Sequence, residues 1–333
     1  MNIRKFILNF KLDLLINIIS LILFLLFIFV VFFRINHTID LLVWIIGLSI
    51  VFVILAIQLL KIYYRFVIAK SRRLNKLIKN LYENEKTFIR LKQQVERELI
   101  LARKTQRKLI PEKNIEKNNY KFILKYVPAQ EIGGDYCEIF EIDEDHMGFV
   151  VADVSGNGIA SALISSMIKM VCTLSKDLLI EPHLFLKYIN YYLYDKIGGH
   201  FLTMMAGVLN TKNHFLKVAN SGHCLPILID SHQKTISTLE IYGMCMGVYP
   251  DLDYNSIVIP LQKGNRVLFY TDGITETVYK DDELYGEERL IKKLYECMEN
   301  NLEECIEKIL LDVLYHRQQE SDDIAILFFE KIK

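Results

Sequence analysis

The sequence lacks a net charge. Its 333 residues carry 40 Lys and Arg against 40 Asp and Glu, so the total gives no ground for expecting a nucleic-acid partner. It lacks any C-x-x-C pair. The six cysteines, at 137, 172, 224, 245, 297 and 305, are spaced for neither a zinc site nor a disulfide framework, and they read as small apolar core residues. No G-x-S-x-G turn is present, which leaves catalysis by a serine nucleophile without its usual carrier. Gly and Pro are missing from 70–110, so nothing there interrupts a helix. Beyond residue 120 no basic groove with interleaved aromatics appears, which argues against nucleic acid.

Apolar residues are abundant instead. They make up 52% of the chain, high for a soluble protein, and the excess lies near the start. Residues 14–33 include only Asn17 and Ser20 as polar members, and residues 41–60 only Ser49 and Gln58. At about 1.5 Å rise per residue, each run can cross a hydrocarbon core of about 30 Å. A cleaved signal has a shorter apolar region and a small-residue cut site. Two full-length runs joined by Arg-Ile-Asn-His-Thr at 34–38 predict a transmembrane hairpin within residues 1–69. Arg4, Lys5 and Lys11 precede the first run, and Lys61, Arg65, Lys70, Arg72, Arg73, Lys76 and Lys79 follow the second. The positive-inside rule then puts both ends in the cytoplasm. The connecting loop is too short for an external sensor domain. A multi-pass protein of the cytoplasmic membrane is expected.

Residues 70–111 form the expected connector. Leu74, Leu81, Phe88, Val95, Ala102 and Leu109 recur every seven residues, and Leu77 and Leu91 fall three places after members of that series. Glu98 interrupts the second seam, Leu99 takes over one place later, and Asn84 is polar at a seam position. This imperfect heptad pattern predicts a parallel two-stranded coiled coil, hence a homodimer. A solvated helix packed on its own domain is the competing explanation.

From residue 115 to 333 the pattern is that of a folded domain. Strand-like runs occur at 122–127, 136–142, 147–153, 202–209, 215–219, 225–229, 256–260, 266–271 and 324–329. Helical stretches occur at 159–175, 183–197, 287–299 and 302–317. Segregated strands and helices predict an α+β fold, with sheets covered by helices. Acids sit where these strands end or begin. Asp135 follows Gly133-Gly134, Asp153 ends an apolar strand, Asp272 stands in Tyr270-Thr-Asp-Gly, and Asp322-Asp323 precede Ile324. One such Asp is ordinary turn chemistry. Several at one sheet margin are not, because two carboxylates about 4 Å apart repel by several kcal/mol even at an effective dielectric near 20. Oxygen donors without His or Cys point to a hard cation, Mg²⁺ or Mn²⁺. The small residues Ser155-Gly156-Asn157-Gly158 leave room for a phosphate near the start of the next helix, where free N–H groups favour anions.

Five ordered motifs then carry a family resemblance: Glu131-Ile-Gly-Gly-Asp-Tyr-Cys137, Ala152-Asp-Val-Ser-Gly-Asn-Gly158, Asn220-Ser-Gly-His223, Tyr270-Thr-Asp-Gly-Ile-Thr-Glu276 and Asp322-Asp-Ile-Ala325. Together they resemble the PPM-type metal-dependent serine/threonine protein phosphatases, in the bacterial branch of sporulation protein E and the sigma-factor regulatory phosphatases. The resemblance spans roughly 120–332. Glu98-Leu, Ala102, Gln106 and Leu109-Ile-Pro111 are also similar to the helical linker that often precedes this domain.

The resemblance implies an α–β–β–α sandwich of two antiparallel sheets flanked by helices, with two divalent cations at one edge. It implies that Asp153 bridges both ions, with the Val154 carbonyl and Asp135 on one of them. Asp272 and Asp322 would hold the other, and Asp323 is an adjacent contributor. A water between the ions would attack phosphoserine or phosphothreonine. The implied substrate is a small phosphoprotein, such as an anti-sigma-factor antagonist. Asn157 and Ala325 depart from the pattern, where His and Thr are commoner, and His223 is expected to pack rather than to ligate. Two other readings stand beside this one. A non-catalytic signalling adaptor would keep the fold, and another two-metal phosphohydrolase would act on nucleotides or nucleic acid.

Overall fold

The computed structural model describes residues 3–32, 39–109, 113–280, 283–316 and 322–332. The expected inter-span loop at 34–38 and Pro111 lie outside the described residues, as do the side chains of Arg4, Lys5 and Lys11. The chain divides into two compact units, Met1–Arg90 and Leu91–Lys333.

The first unit is helical. Helix α1 spans Ile3–Phe32, and α2 spans Ile39–Leu109, 71 residues through the second apolar run and the whole connector without a break. With no Gly or Pro after Gly47, nothing in α2 forfeits a helical hydrogen bond. By length and composition one described helix, Ile46–Lys108, is apolar enough to cross a membrane, and its most apolar window is not buried inside the chain. The apolar stretch Ile16–Val31 is shorter.

The second unit is the α+β domain. In chain order it contains β1 (Lys113–Lys117), β2 (Tyr120–Val127), β3 (Tyr136–Glu141), β4 (His146–Val154) and α3 (Ile159–Leu174). A short 3-10 helix, Lys176–Ile180, leads to α4 (Pro182–Leu193), β5 (Leu202–Asn210), β6 (Phe215–Ser221), β7 (Ile227–Asp230) and β8 (Thr235–Thr238). Then follow β9 (Ser256–Pro260), β10 (Asn265–Tyr270), β11 (Val278–Lys280), β12 (Glu283–Leu284), α5 (Gly286–Glu296), α6 (Leu302–His316) and β13 (Ile324–Lys331). Among the described residues one antiparallel sheet runs β1-β2-β13-β10-β7-β8 and a second runs β3-β4-β5-β6-β9, with β11-β12 a separate ribbon.

Alternation within the strands divides the core. Odd positions of β13 (Ala325, Leu327, Phe329) join Phe122 and Leu124 of β2, Phe149 of β4 and Phe269 of β10 between the sheets. The Phe149 and Phe269 rings stand 4.6 Å apart. Even positions (Ile324, Ile326, Phe328) face the other way and pack with Leu290 and Leu294 of α5 and Ile306, Ile309 and Val313 of α6. Ile164 and Ile168 of α3 and Phe185 and Ile189 of α4 join the first cluster through the second sheet. Two sheets face each other with helices outside, as the period-2 pattern requires.

Strands β1, β8, β11 and β12 were not expected from the sequence. Strand β1 reads Lys-Asn-Ile-Glu-Lys and is an edge strand, so its pattern is mostly polar. Its register is set by Asn118 and Asn119, both at positive φ (49° and 69°), which make the tight two-residue turn to β2. The expectation of no disulfide framework meets one exception, while Cys137, Cys172, Cys297 and Cys305 are core residues as the sequence reading has them. Cys297 and Cys305 are joined as a disulfide, Cα atoms 5.2 Å apart, because the turn after α5 brings the start of α6 back against it. Cys137 and Cys172 are buried thiols, and Cys224 and Cys245 are half-buried.

Candidate active site

Antiparallel pairing gathers the acids. Tyr136 lies opposite Ala152, so the start of β3 and the end of β4 share one end of their sheet. Asp135 immediately precedes β3, and Asp153 is the last residue but one of β4. In the other sheet Tyr270 lies opposite Ile326, and the Thr271 N–H donates to the Ala325 carbonyl at 3.1 Å. The end of β10 and the start of β13 are therefore neighbours, with Asp272 after one and Asp322-Asp323 before the other. Asp323 ties the two sheet ends together. Its carboxylate accepts the N–H groups of Ala129 (2.6 Å), Gly134 (2.5 Å) and, at longer range, Asp135 (3.4 Å).

Asp153 is the electrostatic centre. Burial first, then Asp153 and Asp323, hold the Asp135 carboxyl well above its ordinary range, while the Thr271 hydroxyl pulls the other way. Burial also raises Asp153, to about 6; a hydrogen bond with Asp135 opposes this, and Asp322, Asp323 and Glu276 add to it. Asp272 is pushed to about 7 by burial and then by Asp153, Glu276 and Asp322. Burial raises Asp323 as well, against the pull of the three backbone amides. Like charges in a half-desolvated pocket produce this pattern.

A divalent cation suits these groups. Asp135 is 1% exposed and its Oδ2 has no hydrogen-bond partner. A buried acceptor without a donor is incomplete, and carboxylate oxygens with a backbone carbonyl are donors for a hard cation. Among the described residues no group of three or more His, Cys, Asp or Glu stands close enough together to hold an ion as it is. The acids sense one another across the sheet ends without meeting as a ligand set.

Glycine is required where backbones crowd. A Cβ on Gly134 would lie 2.9 Å from the Ser161 Cβ and 3.2 Å from the Val154 carbonyl oxygen. A Cβ on Gly273 would strike the Asp323 carbonyl. The turns carrying Asp135 and Asp272 pack backbone against backbone.

The sequence model of the family described as Stage II sporulation protein E (SpoIIE) matches residues 143–331, more than half of the chain. The chain belongs to this family. The matched stretch begins after Asp135 and takes in Asp153, Asp272, Asp322 and Asp323. Among curated relatives, phosphoserine phosphatase RsbU of Bacillus subtilis (strain 168) is 29% identical over 196 residues, 59% of this chain and 58% of the relative. Phosphoserine phosphatase RsbP of the same organism is 27% identical over 185 residues, 54% of this chain and 45% of the relative. The chain thus spans about half the length of these two relatives. The SiaA-PP2C domain of Pseudomonas aeruginosa has the same fold, with a TM-score of 0.62 at 18% identity, covering 72% of this chain and 98% of that one. The phosphatase domain of SpoIIE from Bacillus subtilis gives 0.54 at 15% identity, covering 66% and 65%.

The structure gives partners to further residues around this SpoIIE-family site, among which the sequence reading assigned no role to Glu276. Glu276 donates its N–H to the Asp272 carbonyl at 2.7 Å, and its charge raises both Asp153 and Asp272. It sits in a motif quoted for the resemblance, but an exposed Glu in a turn gave no separate signal. Ser155 is held by the lead into β5: its carbonyl lies 2.6 Å from His200 Nδ1, and its Oγ accepts the Phe201 N–H at 2.9 Å. Gln106 and Arg103, at the end of α2, reach Gly133 and Glu131. His223 meets the Thr203 hydroxyl through Nδ1 at 2.8 Å, and burial lowers its pKa to about 4, so it stays neutral. Thr203 lies opposite Asp153 in the β4–β5 pair, which places this histidine behind the site. Asn157 is exposed, whereas Ala325 is fully buried and donates its N–H to the Thr271 hydroxyl oxygen at 2.8 Å.

Proposed function

We propose that the chain is a membrane-anchored protein serine/threonine phosphatase that hydrolyses phosphoserine or phosphothreonine on a signalling protein. The observation that carries this reading is the placement of Asp135, Asp153, Asp272 and Asp322 at adjoining ends of two sheets, near enough to shift one another's charge, in a SpoIIE-family domain. Membership and the names of the curated relatives support the reaction class. An anti-sigma-factor antagonist is the proposed kind of substrate.

In this reading Asp135, Asp153 and the Val154 carbonyl would hold one divalent cation, and Asp153, Asp272 and Asp322 would hold a second, with Mn²⁺ or Mg²⁺ as the ion. Such ions supply Lewis acidity to the phosphoryl group and to water. The chain's own part is placement. Strands β4 and β10 present Asp153 and Asp272 on rigid supports. Asp323, its oxygens taken by backbone amides, anchors the Asp135 turn and is assigned that role rather than ligation. Helix α3 starts at Gly158 without a side-chain cap and without an acid in its first turn, so its first N–H groups and the bare 155–158 loop suit an anionic phosphate.

The deciding assay is phosphate release from a phosphoserine-bearing protein by the full chain in detergent with Mn²⁺, beside Asp153→Asn. Release that persists in the variant refutes the assignment. The adaptor reading draws on one observation, that the acids do not stand as a ready ligand group. Calorimetry with Mn²⁺ separates the two, since an adaptor has no need to bind the ion.

A further inference from the structure

We propose that Gln106 is a positioning residue for Asp135. The inference rests on the reading that Asp135 holds a divalent cation. From the last turns of α2, within the Leu91–Lys333 unit, the buried Gln106 amide grips both backbone polar groups of Gly133. Its Nε2 donates to the Gly133 carbonyl at 2.6 Å, and its Oε1 accepts the Gly133 N–H at 3.1 Å. The pairing fixes which way the amide faces, because the flipped orientation would set donor against donor and acceptor against acceptor. The next N–H, that of Gly134, goes to Asp323. Two successive residues are therefore held by side chains 217 positions apart in sequence, one on a helix and one leading a strand.

The residue after them is Asp135, with its buried, unpartnered Oδ2. Gly133 and Gly134 have no side chains to pack and the widest backbone freedom of any residue. A Cβ on Gly133 would collide with the Tyr126 hydroxyl and the Asp323 carboxylate. The path of the chain into Asp135 is thus set by hydrogen bonds, and Gln106 supplies two of them. The neighbouring Arg103–Glu131 ion pair, 2.8 Å long, is about one-third exposed on the arginine side and contributes little for that reason. An apolar side chain of the same length at 106 leaves a buried C=O and N–H unpaired and lets the turn move.

The test uses the full chain in detergent, with Gln106→Met, Gln106→Glu, Asp135→Asn and the wild type. Mn²⁺ titration by calorimetry is the first readout. The second is amide hydrogen exchange across 129–136 in the cation-free protein. Gln106→Met is expected to bind Mn²⁺ about tenfold more weakly or worse, the usual effect of losing a residue that orients a ligand. Half-maximal phosphate release should need correspondingly more Mn²⁺, with a smaller change in turnover at saturation. Exchange should quicken at 133–136 while the sheets stay protected. Gln106→Glu keeps the acceptor for the Gly133 N–H and should fall between. Wild-type Mn²⁺ affinity in Gln106→Met, or weakening only in step with exchange throughout the domain, overturns the proposal. If the wild type binds no Mn²⁺, the phosphatase reading falls; the exchange readout then decides the positioning, which unchanged rates at 133–136 would refute.

Discussion

Asp322 and Asp323 are neighbours in sequence with opposite energetic roles. Asp323 is 4% exposed and accepts three backbone N–H groups, whereas Asp322 is half-buried and adds repulsion at Asp153 and Asp272. Asp323→Ala leaves buried amides unpaired and is expected to destabilise the domain by about 3 kcal/mol or more. Asp322→Asn keeps an acceptor for the Asp323 N–H, which now bonds Oδ1 at 2.8 Å, and removes a charge. It should leave stability nearly unchanged while abolishing binding of the second Mn²⁺, and denaturant unfolding with calorimetry on both variants checks the contrast. The raised carboxyls also fix a pH dependence. Asp153 near 6 and Asp272 near 7 hold protons in the native state that the unfolded chain releases near 4. The native state binds more protons across that window, so stability of the cation-free protein falls as pH rises from about 4 to about 7 and then levels. Melting temperature measured with a chelator should drop by several °C between pH 5 and pH 7.5, and Asp272→Asn should flatten the slope. A flat profile in the wild type would contradict the burial of these charges.

Elements were legible where hydrophobic period and turn chemistry agree. The strands ending at Asp153 and Tyr270 and the helices flanking the sheets follow from alternation and 3.6-residue periodicity, and the acids at strand ends follow with them. Edge strands were not legible. Strands β1 and β8 bury little of either face, so Lys-Asn-Ile-Glu-Lys and Thr-Ile-Ser-Thr carry almost no pattern. The grip of α2 on the Asp135 turn was also hidden. Gln106 stood out in the sequence only as one residue of a linker resemblance, and the fold shows that it is buried and what it holds. The glycines speak for how closely the elements are fitted. Gly273→Ala places a methyl against the Asp323 carbonyl, a backbone atom that cannot step aside. It should cost on the order of 2–3 kcal/mol through overpacking. Gly47→Ala, in α2 with nothing within 4 Å of the added carbon, should be neutral or slightly stabilising. Thermal melts of the two variants test whether tight backbone packing, rather than glycine content, governs stability here.

For the whole chain, the question is what covers the apolar surface outside the domain. The second apolar run continues directly into the connector, and both lie on the one helix α2. Phe52, Leu59 and Leu60 are each well over half exposed, which lipid would satisfy and water would not. Farther along the same helix Leu74, Leu81, Phe88 and Val95 are likewise each more than half exposed, at seven-residue spacing and among charged residues. We propose that a second copy of the helix covers this stripe; two parallel copies anchored in one membrane would present their stripes in register. Leu81→Cys, Phe88→Cys and Val95→Cys, each introduced singly and oxidised in native membranes, are therefore expected to give disulfide-linked dimers above the wild-type background. Lys86→Cys, on the opposite face of the heptad, should not. Absence of cross-linking at all three seam positions would rule out the parallel dimer and leave the stripe to a different chain. Cross-linking at Lys86→Cys as strongly as at the seam would show collision in the membrane rather than a coil.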